Sequence, residues 1–384
     1  MEKSNATKAA TDFFERQDSA RKRTWLLVFF FIIGVLTVAL SIWPVVVGCA
    51  TAFFWLAALI TLFADPSEAA EIATTGALLF YDGIRIPNAF LVATLLGGIA
   101  ICVGTLYKIG ELKRLGASGV AEKLGGTRID RSTTEPNEKR FYDLVEEMAV
   151  ACGVPVPSVY VLPKENEINA CAIGGDPSDS AVAATAGALR LLTRDELQGV
   201  VAHEFGHLVN DDVKLNMRLI GLVYGLQILA IIGGAGMKNE FAQIRKRKGA
   251  LAPLWLALLL LGGTGVFVGE IIRAAVSRQR EFLADALAAQ FTRNPLGLAN
   301  ALKKIGGVTL AWKEVGGAKQ GSTVSAARST EMSHLFFGSV FSRRWGTRLF
   351  RTHPDLTRRI RRLEPSFNGV FPKFVIVKLS EQSA

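Results

Sequence analysis

Apolar residues in this chain gather into long runs instead of alternating with polar ones, which is the pattern of membrane-spanning segments. The first run covers residues 25–64 and is interrupted only by Pro44. At about 1.5 Å of rise per residue it is too long for one perpendicular crossing of a roughly 30 Å hydrocarbon core. It is also too long for the apolar region of a cleavable signal peptide. Two arrangements fit it: a tight hairpin turning at Pro44, or one span followed by a buried or interfacial segment. An acidic stretch follows, with Asp65, Glu68, Glu71 and Asp82. A second run, residues 89–106, is closed by Lys108, Lys113 and Arg114. Two further runs, 217–237 and 251–272, flank a basic loop of Arg245, Lys246, Arg247 and Lys248. Gly221 with Gly225, and Gly265 with Gly269, give these two the small-xxx-small spacing that lets helices approach closely.

Between the runs the chain is polar and patterned as a globular unit. Phe141, Leu144, Val145, Met148 and Cys152 recur at helical spacing, which predicts a helix over residues 137–152 stopped by Gly153. Residues 156–162 and 168–173 are short, β-prone and bounded by Pro and Gly, and are read as two strands. Thr193 and Glu196 form a capping box that opens a long helix, expected to run through His207 to about Asn216.

Composition adds little to this picture. The four cysteines contain no CxxC pair and suggest neither a disulfide framework nor a zinc knuckle. The net charge of +10 comes from Lys and Arg spread near the ends of apolar runs, where they snorkel and set topology. No nucleic-acid partner is expected. The basic N-terminus and the basic residues after Leu106 favour the cytoplasm, and the acidic stretch between them suits the other side. The loop at 245–248 argues the opposite way. The weight of charge favours a cytoplasmic globular part.

The chemistry sits on the Thr193 helix, in His203-Glu204-Phe205-Gly206-His207. Two imidazoles four residues apart share one helix face and can grip one metal ion, for which Zn²⁺ with an open position is the natural choice. Glu204 is placed to act as general base toward an attacking water. This is the HExxH arrangement of metalloproteases. A catalytic zinc normally has three protein ligands. Arg280-Glu281-Phe282-Leu283-Ala284-Asp285 supplies a candidate in Glu281, and Asp285, one turn later, could accept a proton from the far nitrogen of a ligand histidine. Taken alone, that pair reads as an ordinary solvated helix face; beside an HExxH lacking a third ligand, the metal reading is preferred.

These residues resemble the HtpX-type family of membrane zinc endopeptidases, relatives of the CAAX prenyl proteases. The resemblance covers roughly residues 124–363. It is carried by Glu147-Met148-Ala149, Ile168-Asn169-Ala170-Cys171-Ala172, Leu192-Thr193-Arg194-Asp195-Glu196-Leu197, the HEFGH segment, Arg280 to Asp285, and Thr352-His353-Pro354. It implies one Zn²⁺ per chain held by His203, His207 and Glu281, with Glu204 as base. It implies that Asn169, Ala170, Cys171 and Ala172 form a strand edge that binds extended substrate through backbone hydrogen bonds. It implies that His353 and Arg359, six residues apart, hydrogen-bond the oxyanion. Arg358, Arg361 and Arg362 are read as a solvated or membrane-facing surface, and His334 as structural. Cys171 stands where relatives usually have Phe, Asp211 replaces a usual glycine, and Asp212 keeps an acidic position. The first apolar run is longer than the family's usual pair of spans requires.

The expected fold is mainly α with a small β-sheet, a multi-span α-helical membrane protein bearing a zincin-like HExxH domain. Its expected organisation is a polar tail (1–24), an N-terminal transmembrane region (25–107), a first protease part (108–216), a transmembrane hairpin (217–272) and a second protease part (273–384). The expected function is hydrolysis of peptide bonds in membrane or misfolded proteins, in quality control and stress response, at the cytoplasmic face of a bacterial inner membrane. The expected partners are protein or peptide substrates and the lipid bilayer. A catalytically silent scaffold or chaperone retaining the fold is the alternative.

Overall fold

The computed structural model describes residues 2–85, 87–176, 178–244, 251–314 and 353–374. The basic loop at 245–248, His334 and Thr352 lie outside the described residues. The chain divides into two compact units: Leu26–Glu111 with Arg218–Ile272, and Met1–Trp25 with Leu112–Met217 and Arg273–Ala384.

The apolar unit is built from long helices. Helix α1 (Glu2–Thr61) continues unbroken through Pro44, so the hairpin arrangement is not adopted. The reason is local: Trp43 and Val45 flank Pro44 with no turn-forming residue beside it, and a lone proline is tolerated inside an apolar helix. The acidic stretch, given no secondary structure above, forms α2 (Pro66–Arg85), with Asp65 accepting hydrogen bonds from Ser67 and Glu68 N–H at its start. Helix α3 (Pro87–Lys123), α7 (Asp212–Ile244) and α8 (Ala252–Thr292) supply the remaining apolar helices. Among the described residues, four segments are long and apolar enough to cross a membrane: Trp25–Thr61, Asn88–Lys123, Asp212–Glu240 and Ala252–Thr292. The glycine pairs do what their spacing suggests. A Cβ at Gly221 or Gly225 would collide with Ile109, Thr105 or Ile101 of α3, and at Gly269 it would lie 3.1 Å from Val223 of α7.

The second unit holds a four-stranded sheet in the order β1-β2-β4-β3. Strand β1 (Thr127–Arg128) runs antiparallel to β2 (Ser158–Leu162), which pairs in parallel with β4 (Asp179–Thr185). Strand β3 (Ala170–Asp176) pairs antiparallel with β4 and forms the sheet's edge. One sheet face, with Val159, Val161 and Val182, packs under α4 (Pro136–Cys152), α6 (Arg194–Val209) and α9 (Pro295–Glu314). The other face, with Tyr160, Cys171 and Ala183, packs on the end of α3 at Ala117, Val120 and Ala121. Helix α3 is kinked at Gly116 (φ 64°), where Ala117 N–H donates to Asp179 Oδ1 at 3.0 Å. The short helices α5 (Ala186–Leu191) and α10 (Leu356–Leu363) complete the unit.

Helix α6 begins as expected. Thr193 Oγ1 accepts from Glu196 N–H, and Glu196 Oε2 accepts from Thr193 N–H at 2.7 Å. It ends at Val209, earlier than the sequence suggests. Asp211 adopts a left-handed conformation (φ 56°), which breaks the helix before α7 starts at Asp212. Such a position favours glycine or a short polar residue such as aspartate. Helix α6 meets α9 closely at Gly199, where a Cβ would fall 2.6 Å from Leu298 N and 2.8 Å from its Cα. Substituting Gly199→Ala is expected to cost about 1–3 kcal/mol, the usual range for overpacking. Thermal unfolding in detergent checks it; an unchanged midpoint would mean the two helices are not held at this distance.

Candidate active site

The HExxH helix reaches α8 through another small residue. A Cβ at Gly206 would lie 3.1 Å from Ala284 Cα and 3.3 Å from Ala284 Cβ, so only glycine leaves ordinary contact there. That approach sets Glu281 and Asp285, one turn apart on α8, beside the histidines. The two Nε2 atoms of His203 and His207 face each other at 3.1 Å. Glu281 straddles them, with Oε2 3.7 Å from His203 Nε2 and Oε1 3.6 Å from His207 Nε2. Ligand atoms of these three residues all lie within 4.8 Å of one another.

The far sides of the rings are also engaged. His203 Nδ1 lies 3.0 Å from Asp285 Oδ1, and His207 Nδ1 lies 2.9 Å from Asp212 Oδ2. An ionised carboxylate can only accept, so each neutral ring carries its proton on Nδ1 and keeps the Nε2 lone pair for the centre. Two nitrogens at 2.0–2.1 Å from one tetrahedral ion would stand roughly 3.3 Å apart, close to the separation found. The charges fit as well. Glu204, Glu281, Asp285 and Asp212 are buried here together with the guanidiniums of Arg359 and Arg280 that contact them. That leaves two negative charges when the imidazoles are neutral, the amount a divalent cation cancels.

Proton affinities follow from this enclosure. Burial pushes His203 down to about 4, against the pull of Asp285. Burial raises Glu204 to about 7, with the nearby Glu281 charge adding to the effect and the Ala172 backbone N–H opposing it. For His207 burial acts downward but is outweighed by Asp212 and Glu281, which hold it well above the ordinary histidine range.

Residues 135–366 match the sequence model of peptidase family M48. This chain belongs to that family. Among curated relatives of this M48 member, the "Protease HtpX homolog" of Thermoanaerobacter pseudethanolicus is 38% identical over 236 residues, 59% of this chain and 73% of that one. The protein of the same name from Caldanaerobacter subterraneus is 37% identical over 253 residues, 64% and 78% of the two chains. The crystal structure of S. mikatae Ste24p covers 81% of this chain and 66% of its own at a TM-score of 0.40 and 16% identity, too distant to inform the site. Family membership and the four apolar helices together make the chain an integral membrane metalloprotease that acts on protein substrates.

Within this M48 unit the structure redistributes some of the expected roles. His203, Glu204, His207, Glu281 and Asp285 come together. His353 joins them, with Nδ1 2.9 Å from Glu281 Oε2. Arg359 is fully buried and committed to the carboxylates: Nε and NH2 meet Asp285 at 2.9 and 2.6 Å, and NH1 lies 2.9 Å from Glu281 Oε2. These contacts make it a support for Asp285 and Glu281; the oxyanion role is what the family resemblance implies. Asn169 closes the start of the edge strand, donating its N–H to Thr185 Oγ1 and offering Oδ1 to Ala170 N–H, both at 3.0 Å. The Cys171 side chain packs with Tyr160 and Ala183 on the sheet face that meets the end of α3. Arg358 and Arg362 lie over the Phe282 ring at 5.4 and 3.7 Å. Sequence reasoning gave no role to Asp212 or Arg280, although both lie in segments it singled out.

Removing a buried charge that balances two others is costly. Arg359→Ala is expected to lower the stability of the metal-free protein by about 3–5 kcal/mol. A residue that only donated to a transition-state oxyanion would leave the unfolding midpoint where it is, so calorimetry of the metal-free protein separates the two roles.

Proposed function

We propose that this membrane metalloprotease is a zinc endopeptidase using His203, His207 and Glu281 as ligands and Glu204 as general base. The observation that carries the reading is the pair of Nε2 atoms 3.1 Å apart with Glu281 facing both. When bound, the ion supplies Lewis-acid chemistry, polarising a water and the scissile carbonyl. Glu204, oriented by Ala172 N–H, takes the proton of the attacking water and can pass it to the leaving amine. His353 Nε2 has no hydrogen-bond partner among the described residues; with Nδ1–H on Glu281, the ring donates to the developing oxyanion in its doubly protonated form. Asp285 holds His203 and is in turn held by Arg359.

Substrate lies extended along the sheet-edge strand β3 at Asn169 to Ala172, adding a strand through main-chain hydrogen bonds. Such binding needs little side-chain specificity, which suits cleavage of misfolded membrane proteins in quality control. The charge pattern favours an active site on the cytoplasmic side of a bacterial inner membrane. A scaffold retaining the fold would have no need of a buried base, three converging donors and a spare imidazole.

Glu204→Gln is expected to keep its zinc while losing cleavage of casein by about 10²–10⁴-fold in detergent. Zinc binding together with undiminished cleavage would eliminate Glu204 as base. The same assignment sets a pH dependence. The base acts ionised, so kcat/KM should fall as pH drops and Glu204 takes up a proton. In the metal-free site that midpoint lies near 7, raised chiefly by burial, and an adjacent divalent charge lowers it. A pH profile with its acid limb above 7 would contradict this.

A further inference from the structure

The two imidazoles are not equally enclosed. The His203 side chain is wholly buried, whereas that of His207 keeps 17% of its surface exposed. Packing therefore fixes the first ring, and the second depends more on its hydrogen bond. That bond runs from Nδ1 to Asp212 Oδ2 at 2.9 Å. Asp212 Oδ1 in turn takes both Nε and NH2 of Arg280, and Arg280 NH2 also donates to Asn210 O at 2.6 Å. Asp212 and Arg280 are each 8% exposed, so this chain of contacts is largely shielded from water.

We infer that Asp212 is a positioning residue for the ligand His207, with Arg280 acting through it; this rests on the reading of His203, His207 and Glu281 as the ion's donors. The carboxylate keeps the proton on Nδ1 and stops the ring turning, so Nε2 stays aimed at the centre. Arg280 pins Asp212 Oδ1 with two N–H groups of its rigid fork, a contact that lysine cannot reproduce, and leaves Oδ2 for His207. It also anchors to the carbonyl at the end of α6, tying the support to the helix that bears the ligand. One stretch of α8 then touches every donor: Arg280 acts through Asp212 on His207, Glu281 faces the ion, and Asp285 holds His203. The bland alternative is that Asp212 merely favours the N-terminus of α7, where an acidic residue is suitable in any case.

The test uses the full chain in detergent, stripped of metal and reloaded with Co²⁺ or Zn²⁺. Affinity is read by chelator competition and ligand geometry by the Co²⁺ visible spectrum. Asp212→Asn keeps an oxygen able to serve a helix start but loses the charge that supports the ring. It is expected to weaken Zn²⁺ binding by about tenfold to a hundredfold and to alter the Co²⁺ bands. Arg280→Lys, which preserves both charges and loses the fork, is expected to move both readouts the same way by less. Wild-type affinity and spectrum in Asp212→Asn would overturn the inference. If that variant does not fold, Arg280→Lys decides, and unchanged affinity and spectrum there overturn it equally. A His207→Ala control separates the levels. If it binds Zn²⁺ as well as wild type, the donor reading fails and takes the inference with it. If it loses the ion while Asp212→Asn does not, only the role of Asp212 fails.

Discussion

A guanidinium sealed from solvent holds the site together. Arg359 is the largest fully buried side chain described, and it faces Asp285 and Glu281 at once. Burying that charge is tolerable only because two carboxylates meet it, and burying them is tolerable only because it is there. Through Asp285 the pairing fixes His203, and through Glu281 it fixes the carboxylate that faces both imidazoles. Helix α10, eight residues long, is thereby locked against α8. The position of α8 beside α6 is set in turn by Gly206 against Ala284, where nothing larger fits without displacement.

The electrostatics of this cluster describe a place prepared for a cation. Four acidic groups and the guanidiniums of Arg359 and Arg280 share a dry interior, where burial, with the nearby Glu281 charge adding to it, raises Glu204 to about 7. A bound divalent ion would offset the negative charge and favour the ionised form of Glu204. Ion binding and readiness of the base are therefore linked: the same charge that completes the site makes its carboxylate available.

Much of this was legible in the chain, for identifiable reasons. Helix α6 follows from a capping box and His203 and His207 from a four-residue spacing, both local, so the helix start and the shared face are visible in the residues. Glu281 and Asp285 were found because a two-histidine site lacks a ligand and a carboxylate pair of suitable spacing lies downstream. What escaped needed contacts distant in sequence. Strand β4 is rich in alanine and is a strand because β2 and β3 pair with it on either side. The break at Asp211 is hidden because aspartate in a left-handed conformation looks like a helix surface residue. His353 and Arg359 are legible only through the family resemblance, and the contacts of Arg359 with Asp285 and Glu281 are not visible in the residues. Asp212 and Arg280 lie 68 residues apart and meet only after folding.

The central claim is that two imidazole nitrogens and one carboxylate hold a single zinc ion. X-ray absorption at the zinc edge of the purified full chain tests it directly. The account predicts one zinc per chain with two histidine nitrogens at about 2.0–2.1 Å and oxygen donors at about 2.0–2.2 Å. A sulfur shell near about 2.3 Å, or an ion whose spectrum is unchanged in His203→Ala and Glu281→Ala, would contradict it.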